Sequence, residues 1–307
     1  MILYNNIINI MNVIQKFEQE YVIKNDKIKF NIENIKPKPK NYDMKNKLCN
    51  LQYWIHKFDR KYKTFTISKY DVEWLLKAHQ LYQLNKKFSN IYEDETNDFI
   101  KYYTKLLQED KNNDKNNDKN NYKNNDKNND KNNKKYFVRA EGVSLKYGIH
   151  GIGPYISMKQ IVESIISSPY YHSCLNENEE CKIYLFDWID NLSYFLEFRI
   201  FVFNNKITAI SQQHLYKSNT ILNNYTTLDF DNLIEKIKNH FENNLKSKLY
   251  YLHSYTIDLS FIDEEPYFIE VNPFGAYYAA GSSLFHWIND KKMLCNNDDI
   301  IYFRFTS

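Results

Sequence analysis

The sequence predicts an α+β fold in which antiparallel sheets are flanked by helices. Segments that alternate apolar and polar residues are separated by segments of helical periodicity, in the order strands, helix, strands, helix, strands. Residues 255–275, YTIDLSFIDEEPYFIEVNPFG, carry two alternating runs on either side of a DEEP turn, and they indicate a β-hairpin. The 307 residues are enough for one large domain or two small ones. Hydrophobic residues make up 43% of them, which is enough to form a core.

The composition indicates a cytoplasmic protein. The four cysteines form no CxxC pair, which argues against a zinc site or a disulfide framework and predicts reduced thiols. The net charge of +3 is too small for a protein built mainly to hold nucleic acid. No apolar run reaches the length of a membrane span. We therefore expect neither a membrane nor a nucleic acid as a direct partner.

Residues 1–48 are predicted to be an N-terminal extension. The opening MILYNNIINIMNVI is rich in Ile but studded with Asn, and it has no early basic residue. We therefore expect a helix or an extended segment rather than a signal peptide. The prolines of the KPKPK run at 36–40 exclude helix and favour an extended chain.

Residues 49–110 are predicted to form the first part of the folded domain. An aromatic, strand-like stretch precedes a helix whose inner face carries Val72, Leu75, Leu76 and His79. Residues 111–135 repeat the unit KNND and are nearly free of apolar groups. Such a tract cannot bury enough surface to offset its ordering entropy, so we expect a disordered surface loop.

Residues 136–307 are predicted to be the core of the domain. A capping box at Ser157 opens a helix that Pro169 ends, and a second helix covers residues 229–245. The remaining segments of the core are strand-like. They are Tyr136 to Arg139, Lys182 to Trp188, and an antiparallel pair, Leu196 to Val202 with Ile207 to Ser211, across an Asn-Asn turn.

The hairpin at 255–275 places polar groups where they need a partner. A three-residue loop would set Asp258 directly opposite Glu270, with their Cβ atoms about 5 Å apart, and Asn272 would share their face. Two such close carboxylates repel each other unless a proton or a cation lies between them, and Mg²⁺ prefers carboxylate and amide oxygens. The alternative is a half-exposed hairpin with an ordinary polar face.

Three basic residues are candidates for binding phosphate. Arg139 and Lys146 flank the segment that holds Gly142, Gly148, Gly151 and Gly153, and glycines allow backbone N–H groups to approach an anion closely. The alternative is a flexible loop with two solvated charges. Arg199 lies inside an apolar strand and needs a partner. That partner is either Glu197, which shares its face, or a phosphate.

The order of several segments resembles that of the cell division cycle protein 123 family. The resemblance covers residues 49–307, and it rests on FVRAEGVSLKYG, KIYLFDWID, LEFRIFVFNNKITAISQ, YTIDLSF, YFIEVNPFG and SSLFHW. It implies an ATP-grasp-like fold with two lobes, whose antiparallel sheets are flanked by helices, and a nucleotide cleft between the lobes. It also implies ATP and Mg²⁺ as cofactors. The implied role is that of an assembly chaperone for eukaryotic translation initiation factor 2, with the gamma subunit as partner.

The resemblance assigns site residues by position. The implied metal ligands are Asp258, Glu270 and Asn272. The implied phosphate and nucleotide contacts are Arg139, Lys146 and Arg199. The segment between the lobes, whose backbone would meet adenine, consists of Tyr184, Leu185, Phe186, Asp187 and Trp188. No catalytic residue is assigned.

Three functions remain open at this point. The first is a monomeric assembly factor in which bound ATP and Mg²⁺ stabilise the active conformation. The second is an ATP-grasp ligase that forms an acyl phosphate on a carboxylate and transfers it to an amine. The third is a protein-binding module with a degenerate nucleotide site. The sequence therefore leaves open whether the chain is an enzyme.

Overall fold

A computed structural model of the chain describes residues 11–17, 40–114, 134–169, 174–278 and 280–307. These residues form two compact units. The terminal unit comprises Met1–Phe58 with Asp190–Ser307, and the inserted unit comprises Asp59–Ile189. The units divide the chain at other positions than the predicted boundaries after residues 48, 110 and 135.

The terminal unit is built on a six-stranded sheet. Its strands are β1 (Met11–Phe17), β5 (Phe198–Phe203), β6 (Lys206–Gln212), β7 (Tyr255–Ile262), β8 (Glu265–Pro273) and β9 (Ile300–Thr306). The order in the sheet is β1-β9-β6-β5-β7-β8. The pairs β5–β6 and β7–β8 are antiparallel, as predicted, and β5 pairs antiparallel with β7. Strand β9 pairs parallel with both β1 and β6. The helices are α1 (Tyr42–Leu48), α2 (Leu51–Trp54), α6 (Thr227–His240) and α7 (Lys291–Leu294).

Helix α6 packs on one face of this sheet. A capping box between Thr226 and Asp229 begins the helix, and its buried residues are Phe230, Leu233, Ile234 and Ile237. The ring of Phe230 lies 5.4 Å from that of Phe303 and 5.0 Å from that of Phe305 on β9. The predicted helix is therefore present, although its last residues, Phe241–Leu245, form a π-helical turn.

The inserted unit pairs three strands with three helices. The strands β2 (Tyr62–Ile67), β3 (Tyr136–Ala140) and β4 (Cys181–Asp187) form an antiparallel sheet in the order β2-β4-β3. The helices are α3 (Lys69–Asn85), α4 (Glu93–Asp114) and α5 (Met158–Ser167). Ser157 caps α5 by accepting from the Gln160 N–H, while the Gln160 side chain accepts from the Ile156 N–H instead of that of Ser157.

Two predicted segments differ from the structure. The stretch after Cys49 is helical over Leu51–Trp54 and becomes a strand only at Tyr62. The helix α4 runs to Asp114, so it includes the first residues of the KNND tract that was predicted to be a loop. The rest of that tract, residues 115–133, and the first residues of the KPKPK run lie outside the described residues.

The predicted N-terminal extension contributes to the large sheet. The Ile-rich opening was expected to be a helix or an extended segment, and within it residues 11–17 form strand β1. Residues 1–10 lie outside the described part of the chain. None of the helices in the described ranges is both long enough and apolar enough to cross a membrane.

Both predicted hairpins are present. The residues Asn204 and Asn205 link β5 to β6 with φ angles of 49° and 61°, a left-handed conformation that Asn tolerates. The turn between β7 and β8 has two residues, Asp263 and Glu264, and not the predicted three. The shorter turn alone would shift the pairing of the two strands by one residue. A β-bulge between Asp258 and Leu259 reverses this shift, so that Asp258 still pairs with Glu270.

Candidate functional site

A row of polar side chains crosses the six-stranded sheet in register. Directly paired residues project to the same face, so all members of the row lie on one side of the sheet. In the order of the strands from β1 to β8, they are Gln15, Arg304, Ser211, Arg199, Asp258 and Glu270. Helix α6 packs on the opposite face, which carries Phe303 and Phe305.

Arg199 and Asp258 form a buried ion pair at the centre of the row. The Arg199 Nε and Nη2 atoms donate to the two oxygens of Asp258 at 2.8 and 2.7 Å. Their side chains are 8% and 4% exposed. The third direction of the guanidinium is also used, because Nη1 donates to the Gly281 carbonyl oxygen at 2.6 Å. The sequence predicted either Glu197 or a phosphate as the partner of Arg199. In the structure the carboxylate partner is Asp258 and not Glu197.

Burial dominates the electrostatics of Asp258. It raises the pKa of the carboxyl group to about 6, against the opposing effect of the Arg199 guanidinium. The negative charges of Glu270 and Glu197 raise this pKa further. For Arg199, burial disfavours the charge, but Asp258 outweighs it and the pKa lies above the ordinary value. Two more carboxylates therefore act on one ion pair in a low-dielectric environment.

Asn272 lies between the two facing carboxylates. Its Nδ2 atom donates to Asp258 Oδ2 at 3.3 Å and to Glu270 Oε1 at 3.2 Å. The amide N–H groups thus fill the position between the acids with partial positive charge. The three residues that the sequence predicts as metal ligands, Asp258, Glu270 and Asn272, are in contact with one another.

Two further side chains complete the surroundings of this pair. Gln213, at the end of β6, donates from Nε2 to Asp258 Oδ2 at 3.4 Å. Glu197 is hydrogen-bonded to His214 Nε2 at 2.9 Å, and the His214 ring stacks on Tyr194 with the centroids 3.5 Å apart. No site role was predicted for Gln213 from the sequence. Its position directly after a strand that neighbours β5 was the only available signal.

The described residues contain no group of three or more His, Cys, Asp or Glu side chains that could hold a metal ion. The donor set at Asp258 and Glu270 is smaller, with two carboxylates and the amide of Asn272. This set fits a hard cation that takes its other ligands from water and phosphate. It does not fit a cation that requires a closed cage of protein ligands.

The inserted unit holds the other predicted contacts. Arg139 on β3 is 5% exposed and pairs in register with Tyr184 on β4. The Tyr184 hydroxyl donates to the Glu141 carboxylate. Lys146 is exposed on a short 3₁₀ turn, with Nζ 5.3 Å from the centre of the Tyr147 ring.

The segment predicted to meet adenine is mostly part of the central strand β4. Because β4 pairs with β2 and β3, its backbone N–H and C=O groups are used in the hydrogen bonds of the sheet along most of its length. Leu185 is buried in the core of the unit, and Phe186 is half-buried. Asp187 forms an ion pair with Lys134 at 2.8 Å. Only Trp188 lies beyond the strand, and its N–H donates to the Lys135 carbonyl.

Gly148 is required for packing in this structure. A Cβ atom there would lie 2.5 Å from Ser164 on α5, which no real Cβ contact shows. The loop is fastened further by the Ile149 N–H, which donates to Ser167 Oγ, and by His150, whose Nε2 lies 2.6 Å from Glu163 Oε2. The loop is thus held on α5, in contrast to the flexible loop that the sequence left open.

Comparison with known proteins shows which family the C-terminal half of the chain resembles. Residues 157–306 match the model of the D123 family. This region, just under half of the chain, is similar to the D123 family. The match bears out the family resemblance predicted from the sequence. No curated protein matches the chain in sequence.

Solved structures resemble the chain beyond the residues that match the family model. Cdc123 from Schizosaccharomyces pombe superposes with a TM-score of 0.54 and 15% identity, over 85% of this chain and 97% of that chain. A C-terminally truncated form of the same protein gives 0.55 and 14%, over 86% and 98%. At this identity the likeness concerns the fold alone. The α+β class, with antiparallel sheets flanked by helices, is shared with these proteins.

Proposed function

We propose that this chain, which resembles the D123 family, binds ATP together with Mg²⁺ and acts as an assembly chaperone for eukaryotic translation initiation factor 2. The observation that carries the nucleotide part is the cross-strand pair of Asp258 and Glu270 beside the buried Arg199. The part that concerns assembly rests on the family resemblance. An ATP-grasp-like fold, a cytoplasmic location and a monomeric state belong to the same proposal.

Mg²⁺ would be held by Asp258, Glu270 and Asn272. A divalent cation stabilises both carboxylates in their ionised form, and Glu270 is one of the groups that raise the pKa of Asp258. Rotation of the Asn272 amide by 180° would present its oxygen instead of its N–H groups. When bound, Mg²⁺ supplies charge neutralisation for the polyphosphate of ATP.

The basic residues would bind the phosphates and position the nucleotide. Arg199 offers a buried guanidinium beside the carboxylates, where a charge-assisted hydrogen bond is strong. The family resemblance assigns Arg139 and Lys146 to nucleotide contacts. It assigns residues 184–188 to the base, with Trp188 the residue that lies beyond the β4 ladder.

The partner proposed from the family resemblance is the gamma subunit of the initiation factor. The direct test is capture of purified gamma subunit by the full-length chain. Binding at a 1:1 ratio is expected. Absence of binding at micromolar concentrations of both proteins would contradict the partner and leave the nucleotide site standing.

One observation favours a second candidate, a protein-binding module with a degenerate nucleotide site. In the structure every direction of the Arg199 fork has an intrachain acceptor, and both Asp258 oxygens accept hydrogen bonds. Such a self-satisfied network is also what a purely structural ion pair would show. The third candidate, a ligase, gains no comparable observation.

Ligand-dependent thermal stability separates these candidates. Mg²⁺ with ATP should raise the melting temperature of the wild-type chain, and ATP with a chelator should raise it less. Glu270→Gln should lose most of the shift. Glu265→Gln, an exposed residue on the same strand, is the matched control and should behave as wild type. No shift in the wild-type chain would favour the binding module.

A further inference from the structure

The loop between β8 and α7 covers part of the polar row. Its second half, residues 284–290, is anchored on Arg304. The Asp290 carboxylate accepts from Arg304 Nη1 and Nη2 at 2.5 and 3.0 Å, and the pair is nearly buried. The Leu284 N–H donates to Ser211 Oγ at 3.0 Å. A bidentate, buried ion pair and a backbone hydrogen bond hold this half firmly.

The three residues before this anchored half are held by other contacts. We call Gly281, Ser282 and Ser283 the latch. The Gly281 carbonyl accepts from Arg199 Nη1 at 2.6 Å. The Ser283 hydroxyl donates to Gln213 Oε1 at 2.7 Å. These two hydrogen bonds join the latch to Arg199 and Gln213, and the Ser282 hydroxyl donates to the Phe285 carbonyl in the anchored half at 2.6 Å.

The hydrogen bonds to Arg199 and Gln213 both lead to the groups that the proposed function assigns to its ligand. Arg199 holds the latch directly. Gln213 holds it indirectly, because its Nε2 atom donates to Asp258 Oδ2. A cation on Asp258 Oδ2 would repel the Gln213 N–H group, and a phosphate oxygen on Arg199 would compete with the Gly281 carbonyl.

The Gly281 carbonyl is the partner that an incoming phosphate would displace. Removing Asp258 from Arg199 would break two charge-assisted hydrogen bonds in a buried site and leave a charge uncompensated. Removing the Gly281 carbonyl breaks one hydrogen bond to a neutral group. A Cβ atom built at Gly281 would meet no atom of the described residues within 4 Å, so the space on that side of the residue is open.

We propose that the latch is an intramolecular competitor of a Mg²⁺–polyphosphate ligand at Arg199 and Asp258. In the closed state the Gly281 carbonyl occupies a donor of Arg199 that the ligand needs. Binding opens the latch, while residues 284–290 stay anchored on Arg304. This proposal rests on the proposed function, since it names the regulation of that same site. The apparent association constant for the ligand equals the intrinsic constant multiplied by the fraction of molecules in which the latch is open.

Ser283→Ala tests the latch with little risk to the fold. The substitution removes one hydrogen bond between the latch and Gln213 and leaves the Arg199–Asp258 pair intact. One neutral hydrogen bond shifts the closing equilibrium by about threefold to tenfold, so the variant should bind the ligand tighter by about that factor. Ser254→Ala is the matched control, because Ser254 accepts a hydrogen bond from Asn204 N–H at the turn between β5 and β6.

The experiment is calorimetric titration of the three full-length proteins with Mg²⁺–ATP and with Mg²⁺–tripolyphosphate. Tighter binding by Ser283→Ala than by wild type and Ser254→Ala supports the latch, and so does binding that only Ser283→Ala shows. Equal or weaker binding by Ser283→Ala overturns the latch and leaves the proposed function standing. Absence of binding by all three proteins overturns both.

Discussion

Asp258 lies directly opposite Glu270 across the β7–β8 hairpin, and the Asn272 amide donates to both carboxylates. Asp258 is at the same time the bidentate partner of Arg199. One carboxylate is thus shared between a buried cation of the protein and a second acid. This sharing is the basis of the proposed site. An ionised Glu270 beside Asp258 becomes favourable only when further positive charge is supplied.

The first prediction concerns the pH dependence of stability. The pKa of Asp258 is raised to about 6 in the folded chain, so this group binds its proton more tightly in the folded than in the unfolded state. Its contribution to the free energy of unfolding is therefore complete below about pH 4 and is lost as the pH rises through 6.

Glu270→Gln removes one cause of that shift. We expect the pKa of Asp258, followed by carbon NMR of its carboxyl group, to fall towards its ordinary value in this variant. Glu265→Gln should leave it unchanged. Saturating Mg²⁺ with ATP should lower it in the wild-type chain. An unaltered Asp258 titration in Glu270→Gln would show that the two acids do not interact.

The second prediction concerns the Arg199–Asp258 pair. Arg199→Met leaves a buried carboxylate without its partner and should lower the free energy of unfolding by about 3–5 kcal/mol. The double variant Arg199→Met with Asp258→Leu should recover most of this loss. Urea denaturation at pH 7 measures both.

Lys206→Met provides the comparison for an exposed pair. Lys206 lies 3.1 Å from Asp299, and both side chains are about half exposed. Its loss should cost less than about 1 kcal/mol. If Arg199→Met costs no more than Lys206→Met, the central pair is not the buried ion pair described above.

The third prediction separates two glycines. Gly148→Ala places a Cβ atom 2.5 Å from Ser164 and should destabilise the chain by about 1–3 kcal/mol. Gly281→Ala meets no atom within 4 Å and should be nearly neutral. Thermal denaturation of both variants measures the difference. Equal stability of the two would mean that Gly148 does not pack closely on α5.

Much of the site could be predicted from the sequence because alternation reports which face a side chain occupies. The alternating pattern placed Asp258, Glu270 and Asn272 together, and the structure confirms their contact. Strict alternation along the second strand would also put Phe268 on their face, but the structure does not. The bulge moves Phe268 to the apolar face, where its ring packs against Trp54 at 5.1 Å.

Other features depend on contacts between segments distant in the chain. The sequence offered Glu197 as the neighbour of Arg199, but strand register decides the partner, and register with Asp258 arises only when β5 and β7 pair. Likewise, the Gly281 contact is made by a backbone carbonyl, which every residue carries. No residue pattern can mark such a group in advance.

The central claim is that a divalent cation lies between Asp258 and Glu270 when ATP is bound. Mn²⁺ in place of Mg²⁺ tests it directly, because a paramagnetic ion broadens NMR signals of nearby groups. With Mn²⁺ and ATP the Asn272 side-chain amide signals should broaden beyond detection in the wild-type chain and persist in Glu270→Gln. Persistence of these signals in the wild-type chain, at concentrations where ATP is bound, would contradict the account.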